Sequence, residues 1–209
     1  MVLVLKKYKE IIFDIDGTLL NSNLYSLNTL QKTLSIVENK EYEIEDLKVA
    51  MGLSDYDVFK LLNVSNIEMC YSTWKQLSKQ YDCNKVIFDG IVSVLQELKS
   101  KHIKMGIVTS QEFEQYKNSI VYKQLHDYFD IVVTSDMTKK HKPYADPIIC
   151  FLESINSDGE ETIYIGDTKY DAICALNSGV DFALAAWGLH QDFVCKNILN
   201  KPYDILKLI

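Results

Sequence analysis

Four short segments carry residues whose types and spacing could do chemistry. The first, Phe13-Asp14-Ile15-Asp16-Gly17-Thr18, closes an apolar run with two carboxylates two positions apart. On an extended chain such side chains project together, about 6–7 Å apart, and Gly17 lets the backbone turn away sharply. An ordinary Asp-Gly turn is the competing explanation. The second, Ile165-Gly166-Asp167-Thr168-Lys169-Tyr170-Asp171, also ends a strand in glycine and an acid, and a helix begins there. Asp167 suits the N-cap and Asp171 lies one helical turn on; simple capping, with Asp171 favoured by the helix dipole, is the alternative. Together the two segments say more than either alone. Carboxylates converging on one sheet edge repel each other and need a cation, and oxygen-only ligands point to Mg²⁺.

The third segment, Val108-Thr109-Ser110, puts two hydroxyls at a strand end, where polar residues are ordinary. The fourth is His141-Lys142-Pro143, ahead of Asp146-Pro147 and a helix. Beside Lys139 and Lys140 it reads as a solvated basic loop, but Pro143 and Pro147 stiffen it, so Lys142 could be held as a point charge.

These segments need elements to position them. Short apolar runs rich in Ile, Val or Phe recur at Ile11–Ile15, Met105–Val108, Ile131–Val133, Thr162–Ile165 and Phe182–Ala186, as buried parallel strands do. Between them lie helical stripes: Ile91, Val94, Leu95 and Leu98; then Ile148, Ile149, Leu152 and Ile155. A further helix runs from about Thr168 to Ser178, with Gly179 as its stop. Strands alternating with helices predict an α/β fold, a Rossmann-like doubly wound parallel sheet. Ligands bind such sheets outside the carboxyl ends of the strands. One stretch breaks the alternation. Residues 20–85 show no convincing strand, only amphipathic runs such as Leu24–Leu34, Tyr56–Leu62 and Ile67–Tyr81, with Gly52 and Asn63 as interruptions. The expected organisation is a core formed by 1–19 and 86–209, with 20–85 as an inserted helical subdomain. Tyr203–Ile209 reads as a short helix packing on the core.

Composition bounds the partners. The 209 residues are 47% apolar, enough for a sizeable core. All 22 cationic residues are Lys against 29 acidic ones, a net charge of −7. An acidic chain without Arg lacks a basic stripe and a bidentate phosphate fork, which argues against nucleic acid and anionic membranes. Small anions remain open, because a bound divalent cation reverses the local field. Cys70, Cys83, Cys150, Cys174 and Cys195 are odd in number and form no CxxC, as expected of buried free thiols in a reducing cytoplasm. Met1–Leu5 is too short for a signal sequence, and no apolar run approaches the about 18 residues of a membrane span. His102, His126, His141 and His190 show no metal-binding spacing.

The four segments together, DxDGT at 14–18, Thr109 with Ser110, Lys142-Pro143 and GDTxxD at 166–171, resemble the haloacid dehalogenase superfamily of phosphotransferases. The resemblance covers about residues 10–190. A helical cap after the first motif is similar to the C1-capped, phosphoglycolate phosphatase-like branch. The resemblance implies Asp14 as a nucleophile forming an aspartyl phosphate, and Asp16 as the acid to the leaving alcohol and then the base for water. It implies Mg²⁺ held by the Asp14 carboxylate, the Asp16 backbone carbonyl and Asp167, with Asp171 as a further or water-mediated partner. Thr109 and Lys142 would grip the phosphoryl oxygens, with Ser110 close by.

The implied activity is a Mg²⁺-dependent phosphomonoesterase acting on a small phosphorylated metabolite, as a monomer or a homodimer. A dehalogenase of the superfamily lacks the second acid, so Asp16 favours a phosphate ester. Specificity is expected in the cap loop Met51-Gly52-Leu53-Ser54-Asp55, with Met51, Gly52, Ser54 and Asp55 as candidates. Related sugar-phosphate mutases carry an Arg near that position. Here Asp55 stands there and the chain has no Arg, which counts against the alternative of a beta-phosphoglucomutase-like mutase. The other alternative is a catalytically retired binding module, which the intact acid set argues against. Tyr25, Tyr56, Tyr71, Trp74 and Tyr81 could line a pocket or simply pack the cap, and Trp187-Gly188 could edge the site.

Overall fold

The computed structural model describes residues 7–81, 85–188 and 193–209. Met1–Leu5, Cys83 and His190, and the side chain of Tyr81, lie outside the described residues. Six parallel strands form one sheet: β1 (Glu10–Phe13), β4 (Lys104–Val108), β5 (Ile131–Val133), β6 (Thr162–Gly166), β7 (Asp181–Ala185) and β8 (Asn197–Leu199). Their spatial order is β5-β4-β1-β6-β7-β8, so the chain builds one half outward from β1, returns, and builds the other. That is the doubly wound order, and its switch point lies between β1 and β6.

Alternation on the strands sorts the core into two layers. Ile11, Phe13, Met105, Ile107, Ile163 and Ile165 face α5 (Ile91–Ser100) and the C-terminal segment. Ile12, Val108, Val133 and Tyr164 face the other way, onto α8 (Asp146–Ile155) and α9 (Lys169–Ser178). A slip of one residue in β1 would exchange the layers, so this pattern holds the register Phe13↔Ile107 and Phe13↔Ile165. The same register places Asp14, Thr109 and Asp167 one step beyond three adjacent strand ends.

Residues 23–81 form the helices α1 (Asn23–Glu38), α2 (Ile44–Leu47), α3 (Asp55–Leu61) and α4 (Ile67–Tyr81). They bury their own apolar cluster, including Leu27, Leu30, Leu34, Leu47, Phe59 and Cys70, with Trp74 against it. The strandless reading of 20–85 needs correction at one edge. Leu20–Asn21 (β2) pairs antiparallel with Val86–Ile87 (β3), tying together the two chain segments that lead into and out of the helices. Two-residue strands are too short to show a period-two pattern.

Three further details differ from expectation. β8 had no apolar run to mark it, because its pairing with β7 supplies what its composition does not. The C-terminal helix is a 3₁₀ helix, Pro202–Leu208, packed beside α5. The N-cap of α9 is Thr168 and not Asp167. β6 runs one residue further than its apolar pattern, through Gly166, which leaves Asp167 at the sheet edge. Among the described residues Cys70 and Cys174 are buried free thiols, and Cys150 and Cys195 are half-buried ones. Among the described residues no helix is long and apolar enough to cross a membrane.

Candidate active site

Asp14 is fixed first by the backbone: its N–H donates to the Ile165 carbonyl at 2.9 Å, continuing the β1–β6 ladder past the strand. Asp14 as a whole is only 3% exposed. The Lys142 ammonium, equally buried, lies 2.9 Å from Asp14 Oδ1 and 2.7 Å from Asp171 Oδ1. Lys142 reaches them from the loop after β5, across a cis Lys142–Pro143 peptide bond. It also donates to the Tyr164 hydroxyl at 3.2 Å, and that hydroxyl lies 2.8 Å from Asp171 Oδ1 and 3.1 Å from the Val108 carbonyl. Lys142 is therefore held, not solvated.

Asp171 is spoken for on both oxygens. Oδ1 accepts from Lys142 and Tyr164; Oδ2 accepts from the Thr168 N–H at 3.0 Å and the Thr168 hydroxyl at 2.6 Å. The capping that could have explained Asp171 alone is real, and it presents the second oxygen to Lys142.

Asp167 is fully buried and accepts from Asn23 Nδ2 at 2.8 Å. Two glycines let backbone press against it. A Cβ on Gly17, whose φ is +83°, would lie 1.9 Å from Asp167 Oδ2, and one on Gly188 would lie 2.5 Å from Asp167 Cβ. Gly188 thus edges the site while also closing the turn after β7, its N–H on the Ala185 carbonyl at 3.0 Å.

The donor set suits a divalent cation. Asp14, Asp167 and Asp171 each offer an oxygen, and these atoms lie within 4.8 Å of one another. Among the described residues Lys142 is the only buried ammonium, so three buried carboxylates exceed it by two charges. Isolated charge is very costly in a dry interior. Burial accordingly pushes the Asp14 carboxyl up to about 7, with Lys142 pulling it down and Asp171 and Asp16 adding to the rise. Lys142 is itself stabilised as the cation: burial works against its charge, but Asp14 and Asp171 outweigh that.

Asp16 is oriented from two sides. Ser22 donates to Oδ1 at 2.5 Å and Gln111 Nε2 donates to Oδ2 at 2.6 Å. Thr109 is buried, with its N–H on the Val133 carbonyl, so β4 and β5 hold it in place. Ser110 donates to the Gly52 carbonyl at 2.8 Å, a bond from the sheet edge to the loop before α3.

A cavity of about 460 Å³ opens above these groups, lined on the sheet side by Asp14, Asp16, Thr109, Ser110, Gln111 and Lys142. Met51, Gly52, Leu53 and Asp55 line it from the helical side, with Trp74. Ser54 does not: its hydroxyl donates to Asp57 at 2.6 Å and it faces a smaller neighbouring recess. Tyr56 and Tyr71 also line that recess, with ring centroids 4.7 Å apart, whereas Tyr25 lines a separate groove beside α1. Burial pushes the Asp55 carboxyl up to about 6, although Gln115 donates to it at 2.8 Å. Sequence reasoning passed over Ser22, Asn23, Gln111 and Tyr164. Only Gln111 had a signal, since it follows Thr109-Ser110 directly; the others gain meaning from partners more than 5 residues away in the chain.

A family model described as haloacid dehalogenase-like hydrolase matches residues 11–185. Among curated relatives, Pyrophosphatase PpaX of Bacillus mycoides is 27% identical over 209 residues, 97% of each chain. The protein of the same name from Bacillus cereus is 28% identical over the same span. Among solved structures, a Lactobacillus plantarum protein provisionally assigned as a phosphoglycolate phosphatase superposes with a TM-score of 0.89 at 25% identity. That match covers 97% of this chain and 100% of the other. CbbY from Rhodobacter sphaeroides, solved with phosphate, shares the fold with a TM-score of 0.79 at 15% identity, over 95% and 96% of the two chains.

Proposed function

The chain belongs to the haloacid dehalogenase-like hydrolases, and on that premise we propose that it is a Mg²⁺-dependent phosphatase of a small phosphorylated metabolite. The observation that carries this reading is the switch point itself. A buried carboxylate, Asp14, is paired with a buried ammonium, Lys142, beside a second buried acid, with an oriented carboxyl two residues on. In this reading 20–85 is a cap over a core of 1–19 and 86–209, and the cavity between them holds the substrate.

Asp14 attacks phosphorus; the P–O ester bond breaks and its electron pair leaves on the alcohol oxygen. Asp16 gives that oxygen its proton, and an aspartyl phosphate remains on Asp14. The Asp16 carboxylate then takes a proton from water, whose oxygen attacks phosphorus and releases the Asp14 carboxylate and inorganic phosphate. Lys142 and Thr109 hold the equatorial phosphoryl oxygens, with Ser110 beside them, since phosphoryl transfer depends on positioning and charge more than on covalent chemistry. Asp14, the Asp16 backbone carbonyl and Asp167 would hold Mg²⁺, with Asp171 behind them, and the ion supplies the positive charge that lets an anionic carboxylate meet an anionic phosphate. Asp171 anchors Lys142 as well.

Met51, Gly52, Leu53 and Asp55 would set specificity from the cap side. With Asp55 in that loop and no Arg in the chain, the cap has no guanidinium fork for a second phosphate, which argues against a mutase. The deciding measurement is phosphate release from a panel that includes pyrophosphate, phosphoglycolate, sugar phosphates and p-nitrophenyl phosphate. Activity with Mg²⁺, none in excess chelator, and none from Asp14→Asn with a native melting curve is the expected result. Full turnover by Asp14→Asn, or in chelator, overturns it.

A further inference from the structure

We infer that Gln111 is the positioning residue for the proton-transfer carboxyl of Asp16, an inference that rests on Asp16 having that role. Gln111 is anchored before its side chain begins: its N–H donates to Thr109 Oγ1 at 3.2 Å and its carbonyl accepts from the Ser135 N–H at 2.9 Å. From that fixed backbone Nε2 reaches Asp16 Oδ2 at 2.6 Å. Ser22, at the entry to α1, holds only the other oxygen. One hydrogen bond leaves a carboxyl able to swing; two donors from different elements fix its plane as well as its position.

The other end of the amide shows why a merely structural account fails. Gln111 Oε1 is buried and has no hydrogen-bond partner among the described residues. An unsatisfied buried acceptor destabilises the fold, so a Met of similar shape would be the better packing residue. The amide is explained by what its donor does. When the Asp16 proton passes to the leaving alkoxide, the carboxylate that forms finds the Nε2 donor already in place and nothing has to reorganise. An amide also carries no charge, so it orients Asp16 without adding a cation beside it.

The test compares Gln111→Met with wild type on an alkyl phosphate, whose leaving group needs a proton, and on p-nitrophenyl phosphate, whose leaving group needs little. General acid catalysis supplies about 10²–10⁴-fold, and a carboxyl left to swing forfeits part of it. The expected result is a fall in kcat/KM, which reports the step in which the leaving group departs, about tenfold larger on the alkyl phosphate than on p-nitrophenyl phosphate. Gln111→Leu, which also lacks the donor and adds no charge, gives an independent reading of the same ratio. Equal losses of kcat/KM on both substrates, or a change in KM alone, overturn the inference. Asp16→Ala, run alongside, separates the two levels. Leaving-group bias in Asp16→Ala but not in the Gln111 variants refutes only the positioning role; no bias in Asp16→Ala removes Asp16 as the acid.

Discussion

Lys142→Met tests whether the buried charge cluster is built as described. The ammonium sits 2.9 Å from Asp14 Oδ1 and 2.7 Å from Asp171 Oδ1, and lysine and both acids are at most 5% exposed. At an effective dielectric of about 20 each contact is worth roughly 6 kcal/mol of Coulomb attraction, most of which offsets the cost of burying the charges. Removing one partner from such a cluster strands the others. Breaking a buried pair costs about 3–5 kcal/mol, here with Tyr164 losing a donor too. For a chain of this size that lowers Tm by roughly 6–20 °C. Urea denaturation in chelator at neutral pH, followed by circular dichroism, measures it. The diagnostic step is the double variant. Adding Asp171→Asn to Lys142→Met removes one stranded charge and should recover about 2 kcal/mol, a strong non-additivity. A cost below about 1 kcal/mol for Lys142→Met, or strict additivity of the two changes, refutes the reasoning, because either would mean that water screens the cluster.

Two other substitutions probe the scaffold, one against the site and one at the C-terminal helix. Gly17→Ala forces a side chain at φ +83° into Asp167 Oδ2 and Asn23 Nδ2; it should lower stability by about 1–3 kcal/mol and phosphatase turnover by at least tenfold, read from melting curves and phosphate release. Asp204 is held below the usual carboxylate range chiefly by its bond to Lys207, with the Asn200 and Lys201 N–H groups helping and burial opposing. A carboxyl depressed in the fold stabilises above its unfolded pKa and loses that contribution as pH falls through its folded one. Asp204→Ala should therefore be less stable than wild type at pH 7, with the difference shrinking below about pH 4; a gap that stays constant down to pH 2 would show that the charge is not what matters.

The sequence by itself determined the scaffold and named most of the side chains that meet at the candidate site. Strands at 11–15, 105–108, 131–133, 162–165 and 182–186 were legible because strands buried on both faces read as continuous apolar runs, and the helices between them kept their stripes. Asp14, Thr109 and Asp167 were legible because each terminates such a run, and strand ends are where a parallel sheet meets its ligand. What the sequence did not determine is how those groups are held. Asp167 as an N-cap was a local reading; the extra ladder residue Gly166 and the better cap Thr168 decided otherwise. Lys142 stands among lysines in a loop; Pro143 marked it as a candidate, but its burial between two acids is what separates it physically from Lys139 and Lys140.

Gln111 and Asp16 are 95 positions apart, and Asn23 and Asp167 144 apart. No local pattern carries such pairings. The orientation of Asp16, the close approach of Gly17 and Gly188 to Asp167, and the turning of Ser54 away from the cavity were decided only by tertiary structure. The physical reason is one of range. Propensity and periodicity act over a few residues along the chain, whereas hydrogen bonding and desolvation act over a few ångströms in space, and only folding makes those two distances the same.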